Sequence, residues 1–157
     1  MDRDDVVGRY GGIYEHSAWV AEACYESGRE LPIAELAPLF RACVDAASRE
    51  RKLELIRAHP DLAGKAAVAG ELTAASTGEQ ASAGIDRCTE EEYARFQALN
   101  DRYREKFGFP FVMAVRHSNR HAILAAFETR VENDRDTEFE TAINEIHEIA
   151  RMRLDAL

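Results

Sequence analysis

An all-α fold is predicted by three observations. Apolar residues recur every three or four positions along much of the chain, as in Tyr93, Phe96, Leu99, Tyr103 and Phe107. Helix-start signals precede these runs, the clearest being Thr89-Glu90-Glu91-Glu92, a capping threonine with a glutamate three residues on. No second run shows strand alternation, so the extended apolar stretch after Phe107 has no partner for a sheet. The pattern predicts a helical bundle of about seven to nine helices, without internal repeats or an inter-domain linker.

The elements follow in order. Val6 to Ile13 is punctuated by glycines and too short to assign. Ser17 caps a helix over Ser17 to Ala23, which Gly28 closes, with Tyr14 and Trp19 read as core residues. Ile33 to Ala47 is helical in pattern, with Leu36, Leu39, Phe40 and Val44 at core spacing. Pro38 moves the expected start of the main helix to about Ala37, because proline is tolerated only near a helix start. Ser48 caps the next helix, which Pro60 stops near Ala58. Gly64-Lys65 reads as a turn into a further helix. Residues 62 to 84 are rich in small side chains, which let helices approach closely or let backbone amides face a ligand. After the Thr89 capping box, a helix runs to about Phe107. The segment Phe107-Gly108-Phe109-Pro110-Phe111 cannot simply continue it, and is buried connecting backbone or the wall of a pocket. Ser118 or Asn119 caps a helix to about Val131, and a last helix runs from about Thr137.

At 157 residues, with 46% hydrophobic and 31% charged residues, the chain is expected to be one soluble domain. No apolar run reaches the roughly 20 residues of a membrane span, and the acidic start Met1-Asp2-Arg3-Asp4-Asp5 lacks a secretory pattern. A net charge of -9 argues against nucleic acid as a partner. The three cysteines, Cys24, Cys43 and Cys88, are widely spaced and read as reduced thiols of a cytoplasmic protein.

Three polar residues stand out. His59, set at a helix end by Pro60 and followed by Asp61, is placed for proton chemistry or for simple capping. Glu79 lies among small residues rather than in a solvated charge run. Arg153 falls on the same face of the last helix as Phe139, Ile143, Ile146, Ala150 and Leu157, while Arg151 points to solvent. A guanidinium on that stripe either snorkels to the edge or meets an anion. His117 and His121 have the i, i+4 spacing of zinc ligands, but no third ligand accompanies them and Asn119 starts a helix between them.

Several separated pieces together resemble the 2-oxo-4-hydroxy-4-carboxy-5-ureidoimidazoline (OHCU) decarboxylase family. They are Gly12-Ile13-Tyr14-Glu15-His16-Ser17 with Trp19-Val20-Ala21-Glu22, and His59-Pro60-Asp61-Leu62-Ala63-Gly64-Lys65. Ser76-Thr77-Gly78-Glu79-Gln80, Leu99-Asn100 with Tyr103, Lys106 to Phe111, and Arg151-Met152-Arg153-Leu154 complete the set. The resemblance spans nearly the whole chain. It implies a single all-helical domain, a homodimer, and decarboxylation of OHCU to (S)-allantoin without metal or organic cofactor. It places catalytic roles on His59, Glu79 and Arg153. It places substrate contacts on Pro60, on Ser76, Thr77, Gly78, Glu79 and Gln80, and on Phe111, Val112, Met113, Ala114 and Val115, with the Phe-Gly-Phe-Pro-Phe segment lining the pocket. Ala18 stands where the family often has proline, and Arg116 to Arg120 departs from its glycine-containing turn. The alternatives are a non-catalytic helical interaction module and a metal-dependent hydrolase built on His117 and His121.

Overall fold

The computed structural model describes residues 3–26, 33–64 and 70–157. Among these residues are eight α-helices and one 3-10 turn, and no strand. No helix among them is long and apolar enough to cross a membrane. The chain divides into two compact units, residues 1–59 with 146–157, and residues 60–145.

The first unit contains α1 (Arg3–Tyr10), α2 (Trp19–Glu26), α3 (Ile33–Asp45) and α4 (Arg49–Arg57), with the C-terminal part of α8 (Arg135–Asp155). Glycines do not prevent α1, which ends on the buried Tyr10. Ser17 does not cap α2. Its hydroxyl donates to the Glu15 carbonyl at 2.9 Å, which tightens the turn before the helix. Pro38 lies inside α3, which starts at Ile33 rather than Ala37. The proline forfeits one backbone bond in the early turns, while Leu36, Phe40 and Val44 on the same helix are buried. Phe40 takes Tyr10 and Tyr14 edge-on, with ring centroids 5.9 and 6.4 Å away. Trp19 is only half-buried and lies under the Arg51 guanidinium, 4.3 Å from its ring centre. Ser48 caps α4 as expected, accepting from the Arg51 N–H at 3.2 Å. None of the three cysteines forms a disulfide among the described residues, yet Cys24 and Cys43, 19 residues apart in sequence, bring their sulfurs to 3.1 Å. The expected closure of α2 by Gly28 and the helix after Lys65 lie outside the described residues.

The second unit contains α5 (Ala74–Ser82), a 3-10 turn (Ile85–Arg87), α6 (Glu90–Phe107), α7 (Arg120–Arg130) and the N-terminal part of α8. Thr73 caps α5 by accepting from the Ser76 N–H at 3.2 Å. Thr89 and Glu92 form the expected capping box on α6, and Gly108 closes that helix at φ 77°, a dihedral that suits glycine. The chain then runs irregularly from 109 to 115. Phe107, Phe109 and Phe111 are buried around Tyr103, with centroids 4.5, 6.0 and 5.5 Å from its ring. Phe111 also stacks on Phe127 at 3.9 Å and 9°.

Asn119 caps α7 through its Oδ1, which accepts from the Ala122 N–H at 2.9 Å. Asn119→Ala is therefore expected to cost about 1 kcal/mol, read as a lowered urea midpoint with an unchanged m-value. Asp134 Oδ1 accepts from the Thr137 N–H at 2.8 Å and starts α8 at Arg135, two residues before the expected position. Phe139, Ile143, Ile146, Ala150 and Arg153 are buried along α8 as the periodicity requires, but Leu157, past the helix end, is 60% exposed.

Candidate active site

His59 follows α4. The Ala58 N–H closes the helix on the Glu54 carbonyl at 2.9 Å, and the His59 N–H reaches the Ile56 carbonyl at 3.1 Å. Leu55 and Ile56, both fully buried, anchor that last turn. Pro60 then holds the backbone of His59 away from further helix. The imidazole is buried, and its Nε2 has no hydrogen-bond partner among the described residues. A buried polar nitrogen left unpaired is costly unless something else answers it.

Two further buried groups of the same unit act electrostatically on this imidazole. Arg153 on α8 is 7% exposed, so it does not snorkel. Its Nη1 donates to the Gly12 carbonyl at 3.2 Å, and its Nη2 lies 3.4 Å from Glu15 Oε2. The anion it meets within the protein is Glu15, whose side chain is 2% exposed. Glu15 sits in a tight turn in which the Ser17 N–H reaches the Tyr14 carbonyl at 3.0 Å. His16 adopts φ 48° and is exposed, while Glu15 is buried.

Burial lowers the pKa of His59 from the usual 6.5 to about 4; the Glu15 charge pulls it upward, and Arg153 and His16 push it down. The imidazole is thus neutral at physiological pH, further from neutrality in its titration than an ordinary histidine. Between those two pH values the unfolded chain takes up a proton that the folded chain refuses. The protein is therefore expected to lose stability as pH falls from about 6.5 toward 4, at up to ~1.4 kcal/mol per unit of pKa difference. His147, also lowered by burial, acts in the same direction. His59→Asn should reduce this pH dependence in urea titrations, leaving the part of His147 and, toward pH 4, those of Glu92, Glu148 and Asp134, whose carboxyls the fold holds below their usual range. Equal slopes for the two proteins would contradict it.

His147, which has no suggestive sequence context, is buried and bridges two groups of the first unit. Its Nδ1 is 2.9 Å from Tyr14 Oη and its Nε2 is 3.2 Å from Asp45 Oδ1. It anchors the residue that precedes Glu15.

The remaining expected site residues belong to the second unit. Pro60 is half-buried, and the loop after it is strapped to α5 and α6. Gln80 Oε1 accepts from the Ala63 N–H at 3.1 Å, and its Nε2 donates to the Asp61 carbonyl at 3.4 Å. Asn100 Nδ2 donates to the Leu62 carbonyl at 2.9 Å, and the Asp61 carboxylate takes Arg104 Nε at 3.0 Å. A side chain on Gly64 would meet Asp61 Cβ at 2.7 Å, so glycine is required there. On α5, Ser76 is buried, Thr77 and Gly78 are exposed, and Glu79 is half-buried. Met113 and Ala114 are half-buried between the buried Phe111, Val112 and Val115. Arg130 Nη1 donates to the Val112 carbonyl at 2.8 Å, and Val115 accepts from the Ser118 N–H at 2.9 Å. The structure thus gathers His59 and Arg153 with Glu15 in the first unit. It gathers Gln80 with the 61–64 loop in the second, where Glu79 also lies. Glu15 was visible in sequence only as part of a motif, without a role.

His117 sits at φ 70° in the turn before Asn119, while His121 lies within α7 and is 3.4 Å from Glu92 Oε2. The two imidazoles therefore do not share one helix face. Among the described residues, no three His, Cys, Asp or Glu side chains come together as a metal site.

Comparison with known proteins shows the family of the chain. The OHCU decarboxylase family model matches residues 1–155. The chain is 49% identical to 2-oxo-4-hydroxy-4-carboxy-5-ureidoimidazoline decarboxylase of Haloferax volcanii, over 98% of this chain and 89% of that one. It is 43% identical to the protein of the same name from Halalkalicoccus jeotgali, over 99% and 86%. Its structure is similar to a crystal structure of (S)-allantoin synthase, with a TM-score of 0.78 and 36% identity, over 99% of this chain and 50% of that chain. The chain belongs to the OHCU decarboxylase family.

Proposed function

We propose that this protein decarboxylates OHCU to (S)-allantoin and CO2, a step of urate degradation. The observation that carries the reading is the buried His59, whose Nε2 has no partner among the described residues, in the same unit as the buried Glu15–Arg153 pair.

The substrate carries a hydroxyl and a carboxylate on one ring carbon, beside a ring C=N. When the carbon–carboxylate bond breaks, its electron pair moves toward that imine, and a carbon–carbon double bond forms between the two ring carbons. The substrate is its own electron sink, so the chemistry calls for neither pyridoxal nor thiamine. The hydroxyl must then lose its proton to become a carbonyl, and the ureido-bearing carbon must gain one; the ring nitrogen takes its proton from solvent. A neutral imidazole suits the first transfer as base, and the imidazolium it becomes suits the second as acid. Delivery from one face fixes the (S) product. Arg153 offers its planar fork to a substrate oxygen, and the Glu15 charge stabilises the transient imidazolium.

Glu79 carries a catalytic role in this reading, as the family resemblance implies. Pro60, Ser76 to Gln80 and Phe111 to Val115 contact the substrate and exclude water, which strengthens the polar contacts. The protein is read as a homodimer on the family resemblance, and as cytoplasmic on its three widely spaced cysteines.

Circular dichroism of a reaction started from urate tests the proposal. Urate oxidase and hydroxyisourate hydrolase generate the unstable substrate in place, a chelator is present, and this protein is added last. Rapid growth of the (S)-allantoin signal beyond the slow racemic background is expected. No acceleration by folded protein would overturn the proposal.

A further inference from the structure

We propose that Glu15 is a positioning residue of this site: its buried carboxylate and the Gly12 carbonyl, both from one turn, fix the guanidinium of Arg153 beside His59. The inference rests on the proposed reading for its catalytic consequence, but its geometric content stands apart from it.

The turn from Gly12 to Ser17 supplies both partners. Gly12 contributes a carbonyl to Nη1 at 3.2 Å, and Glu15 a carboxylate oxygen to Nη2 at 3.4 Å. Two contacts on two nitrogens define the plane of a guanidinium, which a single contact leaves free to rotate. The turn is itself held at both ends. Ser17 Oγ donates to the Glu15 carbonyl at 2.9 Å, and Tyr14 Oη is tied to His147 Nδ1 at 2.9 Å. Both partners of the ion pair are almost wholly buried, at 7% and 2% side-chain exposure. At such a position, taking away the carboxylate removes a buried counter-charge, and the guanidinium is drawn toward water.

Charge gives the pair a second role. Among the described residues, the charged and titratable groups that act on His59 are Glu15, Arg153 and His16. Only Glu15 is an anion, so it opposes the other two. The guanidinium can thus sit near an imidazole that must accept a proton without suppressing that proton's arrival.

The test uses Glu15→Gln, Glu15→Asp and the wild type, each shown to be folded by circular dichroism. The first readout is the Arg153 Nε–H signal in 1H–15N NMR, assigned with Arg153→Gln. It is expected to be dispersed and slow to exchange in the wild type, and collapsed to the solvent-averaged position in Glu15→Gln. The second is kcat/KM on OHCU generated in place, expected to fall by about 10²-fold in Glu15→Gln, the order a misplaced group costs. Glu15→Asp, which keeps the charge, should recover part of both. A purely structural Glu15 would lower stability without this Asp rescue of kcat/KM. An unchanged Arg153 signal in folded Glu15→Gln would overturn the inference. A collapsed signal with unchanged kcat/KM would uphold the positioning and overturn instead the reading of Arg153 as a site residue. Where Glu15→Gln fails to fold, Glu15→Asp carries the test: a displaced Arg153 signal with reduced kcat/KM supports the inference, and neither change overturns it.

Discussion

His59→Asn is expected to lower kcat by about 10²–10⁴-fold, the worth of a positioned proton-transfer group. The fold should survive. Nε2 makes no hydrogen bond among the described residues, so the substitution breaks none at that atom. Leu55 and Ile56 keep the helix end seated whatever follows. Asparagine is neutral, as is the buried imidazole, so no charge is added or removed at neutral pH. What it lacks is a nitrogen that can take a proton and return it. Burst and steady-state kinetics on OHCU generated in place, beside a thermal melt of each protein, would separate lost chemistry from lost structure. A folded His59→Asn with full activity would remove His59 from the mechanism.

Glu138→Ala should cost the most stability of any single change considered, about 3–5 kcal/mol, or a fall in Tm of roughly 10 °C. Glu138 is wholly buried on α8 and answers three side chains of the second unit. Tyr103 donates to it at 2.6 Å, Arg130 Nε at 2.9 Å and Asn133 Nδ2 at 3.1 Å. Alanine leaves the Arg130 guanidinium, only 11% exposed, without its counter-ion, and the Tyr103 hydroxyl without its acceptor. The consequence extends to the expected substrate segment. Arg130 holds the Val112 carbonyl and lies 4.3 Å from the centre of the Phe111 ring. KM is therefore expected to rise in whatever fraction remains folded. Glu128 and Glu132 give the contrast. Their pairs with Arg95 and Arg102 are open to solvent, so alanine at either should change stability by less than about 1 kcal/mol. A melt of Glu138→Ala within 2 °C of either surface variant, where roughly 10 °C is expected, would refute the argument.

Local signals were legible in the sequence because their partners lie a turn away. Ser48, Thr89 with Glu92, and Asn119 cap the helices they were expected to cap. The end of α4 before Pro60 and the irregular path after Phe107 follow from proline and glycine dihedrals. The stripe that carries Arg153 could be read from periodicity alone. Elements set by distant contacts could not. Residues 74–82 form a helix although small side chains give no stripe, because Thr73 caps it and Gln80 ties it to the 61–64 loop. Pro38 misdirected the start of α3, since burial along the same helix outweighs one lost bond. Glu15 and Arg153 stand at opposite ends of the chain, and no spacing rule connects them. The lowered pKa of His59 is likewise a property of the folded surroundings, whereas an isolated histidine titrates near neutrality.

The first unit is discontinuous in sequence, and this sets the order in which its site can be assembled. Residues 60–145 lie between its two parts, so His59 and Arg153 come together only by closing a loop that contains the whole second unit. Contacts of such long sequence separation form late, after the local helices and after pairings within contiguous stretches. A chain emerging from the ribosome has every residue of the second unit available before α8 delivers Arg153 to the turn at Glu15. The meeting of Arg153 with Glu15 is therefore the closing event of folding, and a chain stalled one step short can carry its helices without that pair.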